Sequence, residues 1–157
     1  MKIATLADHP EAVPVIAQWY FNQWGHEIPG LTLDTLISKV REKARNRIDF
    51  PLTITLHEGD ELVAVAELKF RENQNHPEYE HWLGGVYVSE SHRGKGYLSV
   101  LVDRAKLQVK QLKIDHLYLQ CDPEHLGLYQ KQGFTPLHKA THGELSTWIM
   151  RWANDGR

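Results

Sequence analysis

Only one of the 157 residues is a cysteine, Cys121, so no disulfide can form within the chain and a four-cysteine zinc site is excluded. That scarcity suits a reducing compartment. Long apolar runs are missing as well: none approaches the roughly 20 residues that span a bilayer. The opening stretch M-K-I-A-T-L-A-D-H-P has no apolar segment of the secretory kind. A soluble, cytoplasmic protein with no membrane partner is the expectation. Neither sign of charge dominates. The formal charge of −2 gives no general attraction for nucleic acid, so any anion site must be local. Repeats, linkers and low-complexity segments are absent, and no Walker G-x-x-x-x-G-K-[ST] loop occurs. What is present suits a globular fold: 41% hydrophobic and 24% charged residues can enclose a core, and 157 residues are most simply one domain.

Taken in order, residues 2–6 can form a first strand. Asp8 and Glu11 have capping-box spacing with Pro10 in the first turn. Val13, Ile16, Ala17, Tyr20 and Trp24 then mark one face of a helix that Gly25 can end. Thr32 can cap a second helix with Leu33, Leu36, Ile37 and Val40 on its apolar face, and the run R-E-K-A-R-N-R that follows reads as a solvated helix face. Residues 51–57 and 61–70 read as a hairpin joined by E-G-D, and residues 71–81 as a long polar loop of the kind that edges binding sites. A strand near residues 82–88 leads through a basic turn into a helix with Leu98, Leu101, Val102, Ala105, Val109 and Leu112 on one face. Residues 116–121 form another strand. Asp122 can cap a short helix that has Pro123 at its first position and is stopped by Gly133. Residues 134–138 and 145–152 look like the last two strands. The order β-α-α-β-β-β-α-β-α-β-β predicts an α/β (α+β) fold: a mixed, mostly antiparallel sheet of about seven strands flanked by about four helices. The unit from residue 82 to residue 121 is its parallel crossover.

The turn Arg93-Gly94-Lys95-Gly96 carries the strongest chemical signal. It opens a helix, where free backbone N–H groups and the helix dipole favour an anion. Its glycines admit a ligand close to the backbone, and its two cations add attraction for a phosphate or pyrophosphate. A plain surface turn is one reading. A dinucleotide fold is another, because G-K-G-Y-L-S is half of a G-x-G-x-x-G pattern. Asp115, however, falls before the next strand, where a ribose-binding acid belongs at its end, and the turn follows several strands instead of the first.

The third reading is an acyl-coenzyme A site. V-Y-V-S-E-S-H-R-G-K-G-Y-L resembles motif A of the GNAT superfamily of N-acetyltransferases, V-x-P-x-x-[QR]-x-x-G-x-[GA], with Arg93, Gly96 and Leu98 at its last three defined places. L-Y-L-Q-C-D-P-E-H-L-G-L-Y-Q-K-Q-G-F is similar to the family's motif B, which ends N-x-x-A-x-x-[LF]-Y-x-x-x-G-F. Both motifs occur in order, and the predicted elements match the family from end to end. The resemblance implies a GNAT-like fold, with residues 1–157 as a single acetyltransferase domain. It implies transfer of an acetyl group from acetyl-CoA to a primary amine of a small molecule or peptide, by direct attack through a tetrahedral intermediate. A catalytically silent acyl-CoA sensor and a transferase of longer acyl groups are the alternatives.

By the same resemblance, the backbone of Val86, Tyr87 and Val88 pairs with the pantetheine arm. The pyrophosphate lies on Gly94, Lys95, Gly96, Tyr97, Leu98 and Ser99, with Arg93 beside it. Tyr129 is the general acid that protonates the departing thiolate, and the Val88 N–H is a candidate oxyanion donor. Two departures matter among the cofactor-binding residues: Leu98 stands where Gly or Ala is usual, and Asp122 stands near the usual asparagine, which hydrogen-bonds the pantetheine. An ionised Asp accepts but cannot donate, so helix capping is its expected role. A base is needed most by a lysine-like amine, which is neutral about once in 2,500 at pH 7, a cost of roughly 4.6 kcal/mol; an α-amine faces only about 1 kcal/mol. Glu67, Glu80 and His81 are the candidate bases. Nothing in sequence orients Cys121, Asp122 and His125 as a relay. His138 and His142 lack a helix to present them, so no metal is expected. The acceptor amine is the unidentified partner, and a homodimer is common among proteins of this kind.

Overall fold

The computed structural model describes residues 1–155. Seven strands form one sheet: β1 (Lys2–Thr5), β2 (Leu52–Glu58), β3 (Glu61–Phe70), β4 (His81–Val88), β5 (His116–Cys121), β6 (Thr135–His142) and β7 (Leu145–Ala153). Four helices intervene: α1 (Val13–Trp24), α2 (Leu33–Glu42), α3 (Tyr97–Gln111) and α4 (Leu126–Gln130). The strand order is β1-β2-β3-β4-β5-β7-β6. β1 pairs antiparallel with β2, as β5 and β6 each do with β7, whereas β4 and β5 run parallel through Trp82 and Tyr118. This is the mixed, mostly antiparallel architecture that the order of elements predicts. The chain forms two compact units: residues 1–67 with 85–101, and residues 68–84 with the chain from 102 on.

In the first unit, β2 is buried along nearly its whole length, as is β3 from Val63. β3 reads as a continuous apolar run over Leu62 to Ala66 for that reason, whereas β2 alternates Leu52, Ile54 and Leu56 with Thr53, Thr55 and His57 and buries both faces. Leu52, Ile54, Leu56, Val63 and Val65 are at most 2% exposed; each such side chain stabilises the fold by about 1.5–3 kcal/mol. Helix α1 buries Val13, Ile16, Ala17 and Tyr20, the expected face, in one cluster with Val40 of α2. Thr32 caps α2 by accepting the Thr35 N–H at 3.1 Å.

Two local expectations change here. No capping box forms at Asp8 and Glu11. Two short 3-10 turns (Leu6–Asp8 and Pro10–Ala12) intervene, and α1 begins at Val13 with no side-chain cap. Asp8 is instead engaged by Thr5 at 3.2 Å and Arg47 at 2.7 Å. Pro14, which lacks an N–H, suits the first turn of α1. The basic run is also not a uniform solvated face, because α2 ends at Glu42 and Lys43 pairs with the Glu67 carboxylate at 2.8 Å.

In the second unit, β7 is flanked by β5 and β6, and the β6–β7 register shifts between Pro136 and His138. Loop 71–80 is tied down. Its ends are joined by the Arg71 N–H donating to the Glu80 carbonyl at 2.8 Å, and the buried Asn73 side chain donates to Gln120 at 3.0 Å and to the Thr141 carbonyl at 2.9 Å. After β5 the chain makes a 3-10 turn (Pro123–His125) before α4, which is shorter than expected. Asp122 occupies the cap position of that turn but makes no side-chain cap bond. It is exposed, with its carboxylate 3.9 Å from His125 Nδ1, so its expected capping role is corrected. Among the described residues, no helix is long and apolar enough to cross a membrane.

Candidate active site

In the first unit, β4 breaks its extended course at Gly85. Its φ of +55° is a conformation that favours glycine, and a Cβ there would lie 2.5 Å from Glu67 Oε2 and 2.7 Å from the Tyr20 hydroxyl. The Tyr20 hydroxyl donates to the Gly85 carbonyl at 2.8 Å and so fixes the bend. A single glycine inside a strand marks such a close approach. The bend precedes Val86, Tyr87 and Val88, all partly buried. Tyr87 stacks on Trp19 with ring centroids 5.0 Å apart.

The turn follows. Gly94 and Gly96 have φ of +80° and +81°, and nothing lies within 4 Å of where a Cβ would stand on either. Gly94, Lys95 and Gly96 are exposed, and α3 begins at the next residue. Backbone N–H groups at this helix start, open space and the Lys95 cation fit a diphosphate. The Arg93 guanidinium lies over the Tyr87 ring at 5.3 Å, and its Nε donates to the Val88 carbonyl at 3.1 Å. Tyr97 is buried and its hydroxyl donates to Glu58, so only its backbone belongs to the turn's open side. Leu98 and Ser99 are partly buried in the first turn of α3.

The second unit holds Tyr129. Burial pushes its phenol up to about 12, and the nearby Cys121 and Glu72 add to the effect. It therefore stays protonated across the physiological range. Its ring meets Phe134 edge-on at 6.3 Å, and its carbonyl accepts the Phe134 N–H at 3.1 Å, which locks the Gly133 turn beneath it. Burial also pushes the Cys121 thiol up to about 11, leaving it protonated and poorly nucleophilic.

The three candidate bases have different settings. Glu67, in the first unit, is 3% exposed and pairs with Lys43. Glu80 and His81, in the second unit, are neighbours. Glu80 is half exposed with Arg71 at 3.5 Å, and burial lowers the affinity of His81 for a proton. Sequence reasoning passed over Glu72. Its Oε1 accepts from Lys69 at 2.9 Å, its Oε2 accepts from Gln120 at 3.3 Å, and it lies so close over β4 that a Cβ on Gly84 would stand 2.4 Å from Oε1. The signal was the first glycine of W-L-G-G-V: two successive glycines in a strand mark two close approaches, Glu72 at Gly84 and Glu67 at Gly85.

The chain belongs to the acetyltransferase (GNAT) family, whose family model matches residues 8–134, and it is an acyltransferase. No curated protein matches the sequence significantly. Among solved structures, an aminoglycoside 6'-N-acetyltransferase complexed with coenzyme A is similar at TM-score 0.78 and 14% identity, over 100% of this chain and 99% of that one. A spermidine N-acetyltransferase chimera that includes Vibrio cholerae sequence matches at TM-score 0.72 and 17% identity, over 98% of this chain and 96% of that one. The Salmonella typhimurium protein yncA, with its cofactor acetyl-CoA, matches at 0.71 and 14%, over 94% and 91%.

Proposed function

We propose that this chain, acting as one acetyltransferase domain, moves an acetyl group from acetyl-CoA to a primary amine. The observation that carries the reading is the exposed left-handed glycine turn at the start of α3, in a chain whose residues 8–134 match the GNAT family. Coenzyme A and acetyl-CoA bound to two similar structures support the donor. The thioester supplies the acyl group. Gly94 through Ser99 bind the diphosphate, with the exposed Lys95 as a cation beside it and Arg93 holding the strand end in place. Val86 to Val88 line the arm.

The amine attacks the thioester carbon, the C–S bond breaks, and the amine's proton must finally reach sulfur. Tyr129 donates to the departing sulfur and recovers a proton from the nitrogen. With the phenol at about 12 and a thiol near 8.5, unassisted transfer is uphill by roughly 5 kcal/mol. The nitrogen is still protonated as the C–S bond breaks and is then strongly acidic, and loss of that proton to Tyr129 offsets the cost. Glu72 joins Glu67, Glu80 and His81 among the groups that can accept the amine's proton, and its charge acts directly on Tyr129.

The test is acetyl-CoA binding by calorimetry together with thiol release against a panel of amines, for wild type and Tyr129→Phe. The expected outcome is turnover that falls about 100- to 1,000-fold in the variant with acetyl-CoA affinity unchanged. Binding without turnover on any amine would point to a sensor, and absence of binding would remove the cofactor site and the function with it.

A further inference from the structure

Glu58 closes β2 at a hairpin turn, yet its carboxylate reaches both ends of the glycine turn. Oε1 accepts the Tyr97 hydroxyl, and Oε2 lies 3.1 Å from His92 Nε2. His92 immediately precedes Arg93, and Tyr97 immediately follows Gly96, so one side chain bridges the four-residue segment between them. The two anchors are 8% and 9% exposed, while Gly94, Lys95 and Gly96 face solvent. A carboxylate only accepts, so His92 presents its Nε2–H to Glu58. Its backbone N–H is fixed on the Ser89 carbonyl at 2.9 Å, and the Ser89 N–H is fixed on β3 at Val63. Glu61 also stands 3.6 Å from His92 Nε2. The Tyr97 bond first, then Lys95 and His92, hold the Glu58 carboxyl below its usual range.

We propose that Glu58 is a positioning residue for coenzyme A: it clamps both ends of the Arg93–Gly96 turn, so that the segment is ordered before the diphosphate arrives. The inference rests on the acyl-CoA reading given above. Glycine loses more backbone freedom on ordering than any other residue, and a turn ordered in advance binds without that loss. Electrostatics alone predicts the opposite sign. A carboxylate beside an anion site repels the ligand, so removing its charge should tighten binding. The neutral amide of Glu58→Gln retains one acceptor for two donors and therefore separates the two effects.

Coenzyme A and pantetheine, which lacks the nucleotide and its phosphates, are titrated into wild type and E58Q, and amide hydrogen exchange is read on the ligand-free proteins. The expected result is an increase of about tenfold in the coenzyme A dissociation constant, with the pantetheine constant within about twofold. Exchange should be faster at residues 94–97. Tyr97→Phe, which keeps the carboxylate, should shift coenzyme A binding the same way. Unchanged or tighter coenzyme A binding in E58Q overturns the clamp, and so does an equal loss for both ligands, which would mean general loss of structure. A wild type that binds no coenzyme A overturns the acyl-CoA reading itself, and that is seen before any variant is compared.

Discussion

A glycine inside a strand normally weakens it, and Gly85 is kept because a side chain would not fit. Replacing it with Ala forces a Cβ to within 2.5 Å of Glu67 Oε2 and 2.7 Å of the Tyr20 hydroxyl, at a φ of +55°. The left-handed backbone alone costs a non-glycine residue about 1–2 kcal/mol, and the displaced Tyr20 bond adds about 1 kcal/mol. Gly85→Ala should lower stability by roughly 2–3 kcal/mol, measured as a shift in the urea midpoint at constant slope. Tyr129 sets the second residue-scale expectation. A phenol raised to about 12 keeps its proton through the whole working range. The pH–rate profile between 6 and 10 should therefore rise as the acceptor amine loses its proton and show no falling limb from Tyr129. A falling limb in wild type that vanishes in Tyr129→Phe would contradict this assignment.

Among the elements, loop 71–80 is the one that composition describes least well. Its polar composition reads as a loop that edges a binding site, yet Asn73 is 1% exposed and bonds to β5 through Gln120 and to β6 through the Thr141 carbonyl. Tyr79 adds a stack on Tyr118 at 4.4 Å and a bond between its hydroxyl and His138 at 2.9 Å. The loop also carries Glu72, so its anchoring fixes a carboxylate that acts on Tyr129. Asn73→Ala leaves the Thr141 carbonyl without this donor and should cost about 1–3 kcal/mol. Faster amide exchange confined to residues 71–80 should accompany the loss, and unchanged exchange there would show that the loop is held by its aromatic contacts alone.

For the molecule as a whole, a ligand that binds only the folded state stabilises it by mass action. Acetyl-CoA at about 100 times its dissociation constant should add roughly 2.7 kcal/mol, visible as a concentration-dependent rise in the thermal midpoint. Pantetheine at equal concentration should give a smaller rise, because the glycine turn gains nothing from a ligand without phosphates. A midpoint that does not move with acetyl-CoA would argue against the site.

The sequence by itself determined the order of elements, the burial of α1, the Thr32 cap and the glycine turn. Each is written within about 15 consecutive residues, as helical spacing, a capping side chain or a residue free to adopt positive φ. Both family motifs are likewise continuous stretches. Tertiary structure decided the rest: Glu67 with Lys43, Glu72 beside Tyr129, Asn73 on two strands, and Glu58 on both ends of the turn. These partners stand 24 to 68 positions apart. The periodicity of one element carries no record of which side chain from another will face it, and only the folded sheet brings them together.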